Sequence, residues 1–218
     1  MIRYVYDMQQ YNTKAHLIII DNPNKDKIKL EMKHKCPLLI NHLLHLDLTI
    51  ESMNYRIPGY IVKDGETLLS LEQLHKSDTI LIHKNNKLLI DYNLLTHHSR
   101  IEDLFSNYLT CGSNYYLSLY RGEQSIPLTK NYRETLLFKP ISGNVIIYLF
   151  NPKHESDIKG LELKSIKKWA IKLELDKEQL LYVPPEWYYF YESTDDVILS
   201  QIECDSYPTF LFNYIRKK

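Results

Sequence analysis

Two histidines and one aspartate near residue 45 have a spacing that could bind a metal. His45, Leu46 and Asp47 form the only His-x-Asp sequence in the chain, and His42 lies three residues before His45. On a helix, His42 and His45 would share a face, where imidazole nitrogens can act as ligands. The leucines around them favour another interpretation, a half-exposed helix whose polar positions include both histidines.

Nucleophilic and phosphate-binding chemistry has little support in the sequence. Cys111 and Ser113 flank a glycine in a predicted turn, but the sequence has no Gly-x-Ser-x-Gly elbow. It also has no Gly-rich phosphate-binding loop. We interpret His97 and His98 as a loop pair that ends at Ser99, the predicted N-cap of the next helix.

Charge and composition exclude several classes of function. Lys+Arg and Asp+Glu both number 27, so the formal net charge is zero, which does not favour nucleic-acid binding. The 3 cysteines are widely spaced and odd in number, which suits a reducing compartment. The N-terminus lacks a signal-peptide pattern, and no apolar run is long enough to span a bilayer. We therefore expect an intracellular, cytoplasmic protein with no membrane segment.

The second half of the chain is predicted to be nearly all β-structure. Residues 135–150 contain two β runs joined at Gly143, and residues 181–192 contain a strand, a turn at Pro184 and Pro185, and an aromatic strand. Short strands separated by turn signals are typical of a sandwich or barrel. The predicted strands are residues 115–120, 134–139, 144–150, 169–174, 179–183, 187–191 and 197–203.

The first half is predicted to mix strands with short helices. Ser70 is expected to N-cap a short helix, and residues 99–109 are predicted to form a longer one. The other predicted elements are strands at residues 15–21, 35–41, 59–63 and 79–83, a turn at residues 85–86, and a strand at residues 87–91.

No composition shift marks a linker, so we expect a single domain over residues 1–218. Residues 1–112 would form a mixed α+β N-terminal layer and residues 113–218 a β-barrel half. Residues 207–215 are apolar and aromatic, and the sequence leaves open whether they form a strand or a helix.

The order of these pieces resembles the small JmjC and cupin-like hydroxylases. The similar features span about residues 30 to 204. The resemblance implies a mainly β fold with an α+β N-terminal part, namely a double-stranded β-helix or jelly-roll barrel. The features are the strand with Cys36 and Pro37, the Leu-rich helix at 69–74, the strand at 115–117, the Gly143 turn and the segment 183–187.

The same resemblance implies an iron and 2-oxoglutarate site whose residues are missing here. In the family, a His-x-Asp/Glu pair and a later His bind the iron, and a lysine often binds 2-oxoglutarate. Lys130 and Tyr132 take the positions of the pair, Tyr189 that of the later His, and Val145 that of the lysine. Ammonium groups and protonated phenols are poor ligands for ferrous iron. A shift of one residue offers only Thr129, Asn131, Tyr188 or Phe190.

The missing ligands predict a fold retained without its chemistry. We expect a non-catalytic protein with no metal and no cofactor, which acts with protein partners as an interaction or structural component. Residues that could form an interaction surface or line a cavity are Trp187, Tyr188, Phe210 and Phe212. The high use of Tyr, Ile and Lys would suit a protein of a large DNA virus, which could also lie within a virion.

Two alternatives remain open. The first is a divergent iron/2-oxoglutarate-dependent oxygenase, of hydroxylase or demethylase type, with a different metal site. The second is a ligand- or nucleotide-binding module that uses an aromatic-lined barrel cavity. Metal content would separate the first from a non-catalytic role, and a ligand that raises the melting temperature would support the second.

Overall fold

Most of the chain forms β-strands, with short helices packed around them. The computed structural model describes residues 11–12, 16–43, 46–64, 67–77, 80–107 and 109–216. The strands among them are β1 (Ile18–Ile20), β2 (Leu38–Ile40), β3 (Ile61–Asp64), β4 (Thr67–Ser70), β5 (Ile80–Asn85), β6 (Thr110–Arg121), β7 (Gln124–Ser125), β8 (Thr129–Lys130), β9 (Thr135–Ser142), β10 (Val145–Phe150), β11 (Ile171–Leu175), β12 (Leu180–Val183), β13 (Tyr188–Ser193) and β14 (Val197–Ser206). The α-helices are α1 (Lys25–Met32), α2 (Ile50–Arg56), α3 (Leu71–Lys76), α4 (Asn86–Asp91), α5 (Leu95–Phe105), α6 (Glu155–Ile158), α7 (Leu163–Ile166) and α8 (Tyr207–Arg216).

Two large sheets contain most of these strands. The first has seven strands in the order β1-β2-β12-β9-β14-β6-β5. The second has the order β11-β10-β13-β7, and β8 also pairs with β13. The pair of β1 and β2 is parallel, whereas the pairs of β14 with β6 and with β9 are antiparallel. From β6 onward the chain crosses repeatedly between the two sheets, while β3 and β4 form a separate hairpin.

The two large sheets pack face to face around an apolar core. Phe138 on β9 spans the gap, since its ring centroid lies 5.2 Å from that of Tyr189 and 5.7 Å from that of Tyr191 on β13. Because side chains alternate along a strand, every second residue of these strands joins this core. Other core members are Leu136, Val145, Ile147, Leu149, Val183, Val197 and Leu199.

Helices cover the outer faces of both sheets. Ile101 and Phe105 of α5 pack in the apolar cluster on the outer face of the first sheet. Ile158 of α6 packs on the outer face of the second sheet. Tyr148 and Phe190 stack there with ring centroids 4.6 Å apart. The first sheet therefore separates the core between the sheets from a second packed layer beneath α5.

The predicted glycine turn between β9 and β10 is present. Gly143 has a φ of +72°, a backbone angle that residues with a Cβ rarely adopt. A Cβ on Gly143 would lie 2.1 Å from the carbonyl oxygen of Asp196, so the neighbouring loop also excludes a larger residue. This turn thereby fixes the end of β9 and the start of β10 against the start of β14.

The predicted Pro-Pro turn is also present, between β12 and β13. The chain turns at Pro185 and Glu186, and Glu186 has a φ of 69°. Asn131 supports the turn, because its Nδ2 donates to the carbonyl oxygens of Val183 at 2.9 Å and Pro184 at 3.0 Å. The turn is thus tied to the segment that follows β8.

The prediction of a loop at His97 and His98 with a helix cap at Ser99 is wrong. Helix α5 begins at Leu95, so all three residues lie inside it. The Ser99 hydroxyl donates to the carbonyl oxygen of Thr96 at 3.0 Å and does not cap the helix. His98 is fully buried against the first sheet, and this tertiary contact extends the helix beyond the local capping signal.

The predicted strand at residues 87–91 is wrong as well, because these residues form α4. Asn85 caps this helix, and its side chain accepts a hydrogen bond from the amide of Leu88 at 2.9 Å. A short Leu-Ile run fits a strand or a buried helix equally well by pattern.

The open question at residues 207–215 is answered by α8, which is helical from Tyr207 to Arg216.

The histidine pair near residue 45 is not supported as a helical pair. His42 lies outside the helices and has a φ of 59°. His45 lies outside the described residues. Within the part of the chain that the structure describes, no group of three or more His, Cys, Asp or Glu side chains could hold a metal ion.

Strands from both halves of the chain share the first sheet. β2 pairs with β12, and β5 pairs with β6, so residues before 112 extend the sheet at both edges. None of the helices within the described ranges combines the length and the apolar composition that a membrane-spanning helix requires.

Candidate functional site

A cavity of about 360 Å³ opens at one end of the space between the two large sheets. Tyr189 and Thr129 border it from the second sheet, and Leu136 and Glu203 border it from the first. The apolar core fills the rest of the space between the sheets, so this cavity is the place where a ligand could meet inward-facing side chains. Other residues on its wall are Lys84, Lys130, Asn131, Tyr132, Arg133 and Asn213.

Three of the four residues predicted at the vacated iron site line this cavity. They are Lys130, Tyr132 and Tyr189. Val145 does not border it, since it is fully buried in the core and pairs with Leu175 at the other end of β10. Tyr189 pairs with Leu149 on β10. Leu149 lies four residues after Val145, which is a distance of ~13 Å along the strand at the usual rise per residue. The structure therefore brings three of these residues together and leaves Val145 apart.

The register of β8 against β13 decides which of these side chains share a face. Lys130 lies opposite Tyr188, and Thr129 lies opposite Tyr189. Tyr188 packs with the outer cluster of the second sheet, whereas Tyr189 belongs to the core between the sheets. Residues directly opposite each other share a face, so the inward partner of Tyr189 is Thr129 and not Lys130.

The ammonium group of Lys130 is held by two carboxylates. Its Nζ lies 2.9 Å from Glu186 and 3.1 Å from Glu155, and 5.1 Å from the ring centroid of Tyr188. Burial alone would lower the pKa of Lys130, but Glu186 and Glu155 outweigh it, and the pKa lies above its usual value. Lys130 therefore stays charged and cannot offer a lone pair to a metal.

The residues around Tyr189 do not fit an iron site of the facial-triad type. That site needs two imidazoles and a carboxylate on one face. Here Tyr189 is a phenol, Thr129 donates its hydroxyl to the carbonyl oxygen of Pro127 at 3.0 Å, and Asn131 is used to support the Pro-Pro turn. Burial, and then the nearby Glu203, raise the pKa of Tyr189, so the phenol keeps its proton.

Glu203 is the centre of an ion-pair network at the cavity that sequence reasoning missed. Its carboxylate lies 2.8 Å from Nζ of Lys84 and 2.9 Å from Nε of Arg133. Nη1 of Arg133 also lies 2.6 Å from Asp205. Burial would raise the pKa of Glu203, but Lys84 and Arg133 outweigh it, and the pKa is lowered. We call Lys84, Arg133, Glu203 and Asp205 the Glu203 cluster.

One signal for this cluster was visible in the sequence. On β14 the inward residues are Val197, Leu199, Gln201, Glu203 and Asp205, so one face changes from apolar to acidic along the strand. Acids at alternate positions on a buried strand require cationic partners, because an unpaired buried carboxylate is costly. The partners themselves could not be identified, since Lys84 and Glu203 are far apart in the chain.

The aromatic residues proposed as a cavity lining have other positions. Trp187 is fully buried, and its Nε1 donates to the carbonyl oxygen of Lys35 at 3.2 Å. Tyr188 lies on the outer face of the second sheet. Deeper in the core, the hydroxyl groups of Tyr120 and Tyr191 are 2.8 Å apart. Aromatic rings thus fill part of the space between the sheets, and most of the residues on the cavity wall carry a polar group.

Helix α8 packs with its polar side inward and exposes large apolar residues. The Thr209 hydroxyl donates to Glu134 at 3.0 Å, and Nδ2 of Asn213 donates to the carbonyl oxygen of Tyr132 at 2.7 Å. Thr209 and Asn213 are both buried, whereas Phe210 is 47% exposed and Tyr207 56% exposed. Phe212 is half-buried. This polarity is the reverse of that expected for a helix on a monomer surface.

A second buried polar group lies on the outer face of the first sheet, beneath α5. Nδ1 of His98 donates to the carbonyl oxygen of Leu94 at 2.8 Å, so Nε2 accepts from the Ser200 hydroxyl at 2.5 Å. Burial lowers the pKa of His98 to about 4. The pair has the atoms of a nucleophile and its base, but both side chains are almost fully buried, and no substrate could reach them.

Lys139 is the cationic neighbour of this pair. It lies directly opposite Ser200 on β9 and is 1% exposed. Its Nζ donates to the carbonyl oxygen of Lys177 at 2.9 Å. Burial lowers the pKa of Lys139 to about 8, although Asp176 and Glu178 oppose the shift. We call His98, Ser200 and Lys139 the His98 cluster.

Comparisons with known proteins give little further information. No protein-family model matches the chain, and no curated protein matches it at a significant level. Among solved structures, the chain is similar to a cupin superfamily protein from Desulfitobacterium hafniense DCB-2, with 14% identity and a TM-score of 0.32. The match covers 43% of this chain and 68% of that one. A TM-score this low does not support a fold assignment, so the assignment of the fold depends on the strand order described above.

Proposed function

We propose that this chain is a non-catalytic protein of the JmjC/cupin-like type that acts as a protein-interaction or structural component. The strand order supports the double-stranded β-helix part of this proposal. Strands β6, β14, β9 and β12 are neighbours in the first sheet, and β7 or β8, β13, β10 and β11 are neighbours in the second. Eight antiparallel positions in two facing sheets are the arrangement of a jelly roll, and the chain changes sheet at each step among them except from β10 to β11.

The residues at the barrel opening support the absence of oxygenase chemistry. Tyr189 and Thr129 face each other where two ligands would be required, and Glu203 is engaged by Lys84 and Arg133. A ferrous ion would therefore meet one neutralised carboxylate and no imidazole in the cavity wall. The divergent-oxygenase alternative makes the opposite prediction, which is about one iron per chain after anaerobic loading and desalting.

The observation that carries the interaction role is the reversed polarity of α8. Burying Thr209 and Asn213 while Tyr207 and Phe210 face solvent leaves apolar area exposed on one helix face. A partner that covers this face would bury the aromatic rings, which are the side chains that dominate interface energies. In a free monomer the aromatic rings of this face would remain exposed to water.

We take this partner to be a second copy of the chain. The formal net charge is zero, so two copies meet without net repulsion. A two-fold axis across α8 would set the same aromatic face against itself, as isologous interfaces require. Tyr207 and Phe210 are separated by one helical turn, which is the spacing with which one helix contacts another.

Sedimentation velocity of the purified chain tests this proposal. We expect the wild type to dimerise, and we expect Phe210→Ser to shift the protein to monomer while its melting temperature stays nearly unchanged. Leu68→Ser is the matched control, because Leu68 is 64% exposed on the β3–β4 hairpin, away from α8. A wild type that remains monomeric at high concentration, or a Phe210→Ser protein that unfolds, would contradict the dimer.

A further inference from the structure

We infer that the open end of the cavity binds a small oxyanion, a carboxylate or a phosphate, between Lys84 and Arg133. Such a site does not depend on the proposed interaction role. It rests on three side chains of the cavity wall, Lys84, Arg133 and Tyr189, that retain unused hydrogen-bond donors. A ligand that enters must supply the acceptors.

The unused donors belong to three side chains. Arg133 uses Nε on Glu203 and Nη1 on Asp205, and its Nη2 has no partner among the described residues. Lys84 uses its ammonium group on Glu203, although an ammonium carries three donors. Tyr189 also lines the cavity, and its hydroxyl has no hydrogen-bond partner in the described part of the chain.

The carboxylate of Glu203 and the amide oxygen of Asn131, two acceptors on the wall, are already used. Oε1 of Glu203 accepts from both Lys84 and Gln201, each at 2.8 Å, and Oε2 accepts from Arg133 at 2.9 Å. Oδ1 of Asn131 accepts from the backbone amide of Arg133 at 2.8 Å. The cavity therefore offers donors to a ligand and few acceptors, which is the composition of an oxyanion site.

The shape and position of the cavity fit a small anion. Its volume of about 360 Å³ lies in the range of small-molecule pockets. Lys84 and Arg133 are 32% and 27% exposed, so both can gain a ligand without breaking the fold. The guanidinium group can offer two parallel donors to one carboxylate or phosphate.

This site differs from the one that the family resemblance implies. The position expected for a 2-oxoglutarate lysine is Val145, which lies in the core and away from the cavity. The cations inferred here come instead from β5 and from the segment between β8 and β9. Lys130 borders the same cavity, but its ammonium group is held by Glu155 and Glu186.

Calorimetric titration of the full chain tests the site, with inorganic phosphate and acetate in separate arms and chloride at matched ionic strength as the reference. We expect one oxyanion per chain and a melting temperature that rises with its concentration. Lys84→Met should weaken binding about tenfold, since a charge-assisted hydrogen bond is lost. Lys172→Met is the matched control, because Lys172 is exposed on β11 and does not border the cavity, and it should leave the affinity unchanged. Stronger binding in one arm identifies the anion as phosphate or carboxylate.

Glu203→Gln gives the decisive result, because it should strengthen oxyanion binding, whereas Lys84→Met should weaken it. Without the carboxylate, Lys84 and Arg133 lose their negative partner, and oxyanion binding should become about tenfold tighter. A purely structural ion pair would show no such gain. The site is refuted if neither anion binds the wild type more tightly than chloride, or if Glu203→Gln fails to increase affinity. This variant also decides the question should Lys84→Met not fold.

Discussion

The Glu203 cluster and the His98 cluster lie on opposite faces of β14, yet they keep buried polar groups by different means. Glu203 and Ser200 both lie on β14, one facing the second sheet and the other facing α5. In the Glu203 cluster every acid has a cation within ion-pair distance. In the His98 cluster, the basic groups have only neutral hydrogen-bond partners.

This difference decides how each cluster responds to pH. Paired charges favour the ionised forms, so the pKa of Glu203 is lowered and that of Arg133 is raised. Without such partners burial favours the neutral forms, so the pKa values of His98 and Lys139 are both lowered. Near neutral pH, loss of an ion-pair partner in the Glu203 cluster should lower the stability of the fold. In the His98 cluster, protonation of the buried bases should lower it.

Removing the central cation of the Glu203 cluster should have the largest effect. Arg133→Met leaves Glu203 and Asp205 buried with one cation fewer, and we expect a loss of roughly 3 to 4 kcal/mol in the free energy of unfolding. Urea denaturation at pH 7 measures it. Arg100→Met, on the exposed side of α5, should change stability by less than about 0.5 kcal/mol.

A second substitution tests whether buried charge is the cause of that loss. Asp205→Asn in the Arg133→Met background should recover part of the stability, because one uncompensated carboxylate is removed. An equal or larger loss in the double variant would show that Arg133 acts through packing and not through charge.

Acid should act next most strongly, through His98. Its pKa in the folded state, about 4, lies below the unfolded value of 6.5, so the unfolded state binds more protons between these values. Stability should therefore fall by about 3 kcal/mol as the pH drops from 6.5 to 4. His98→Gln removes this contribution, and the difference between the two pH profiles isolates it. Parallel profiles would mean that His98 is hydrated or charged in the folded protein.

Alkali should produce the smallest of the three effects, through Lys139, and with an unusual sign. Its pKa of about 8 in the folded state lies below the unfolded value of 10.5, so stability should increase as the pH rises through this window. Between pH 8 and 9.5 we expect a gain of about 2 kcal/mol relative to Lys139→Met. Above pH 10 the buried tyrosines reverse the trend, because only the unfolded chain ionises them easily. A flat difference below pH 9.5 would show that Lys139 has access to water.

The parts of the fold that depend on local signals could be predicted from the sequence. The turns at Gly143 and Pro184–Pro185 follow from backbone requirements of those residues, and the β runs around them were correctly assigned. The helix α4 was missed, because a Leu-Ile run of this length fits either structure until its packing is known. The start of α5 was missed because burial of His98 outweighed the capping signal of Ser99.

The candidate site was predictable only where it follows a single strand. Tyr189 and Lys130 were assigned to the vacated iron positions by counting from nearby motifs, and both line the cavity. The direction of Lys130 depends on its pairing with β13, and the partners of Glu203 depend on contacts between distant strands. Such contacts leave no local pattern, so their identities had to come from the structure.

The position of β14 has a consequence for the order in which the chain can fold. β14 is the last of the described strands in sequence order, yet it lies in the middle of the first sheet, between β9 and β6. Before it is synthesised, β5 with β6 and β12 with β9 can form only two separate half-sheets, each with an unpaired edge. Open edges favour pairing with other chains, and contacts across long sequence separations form slowly. The nascent chain should therefore remain open to chaperones and to aggregation until the strand that joins the two half-sheets has left the ribosome.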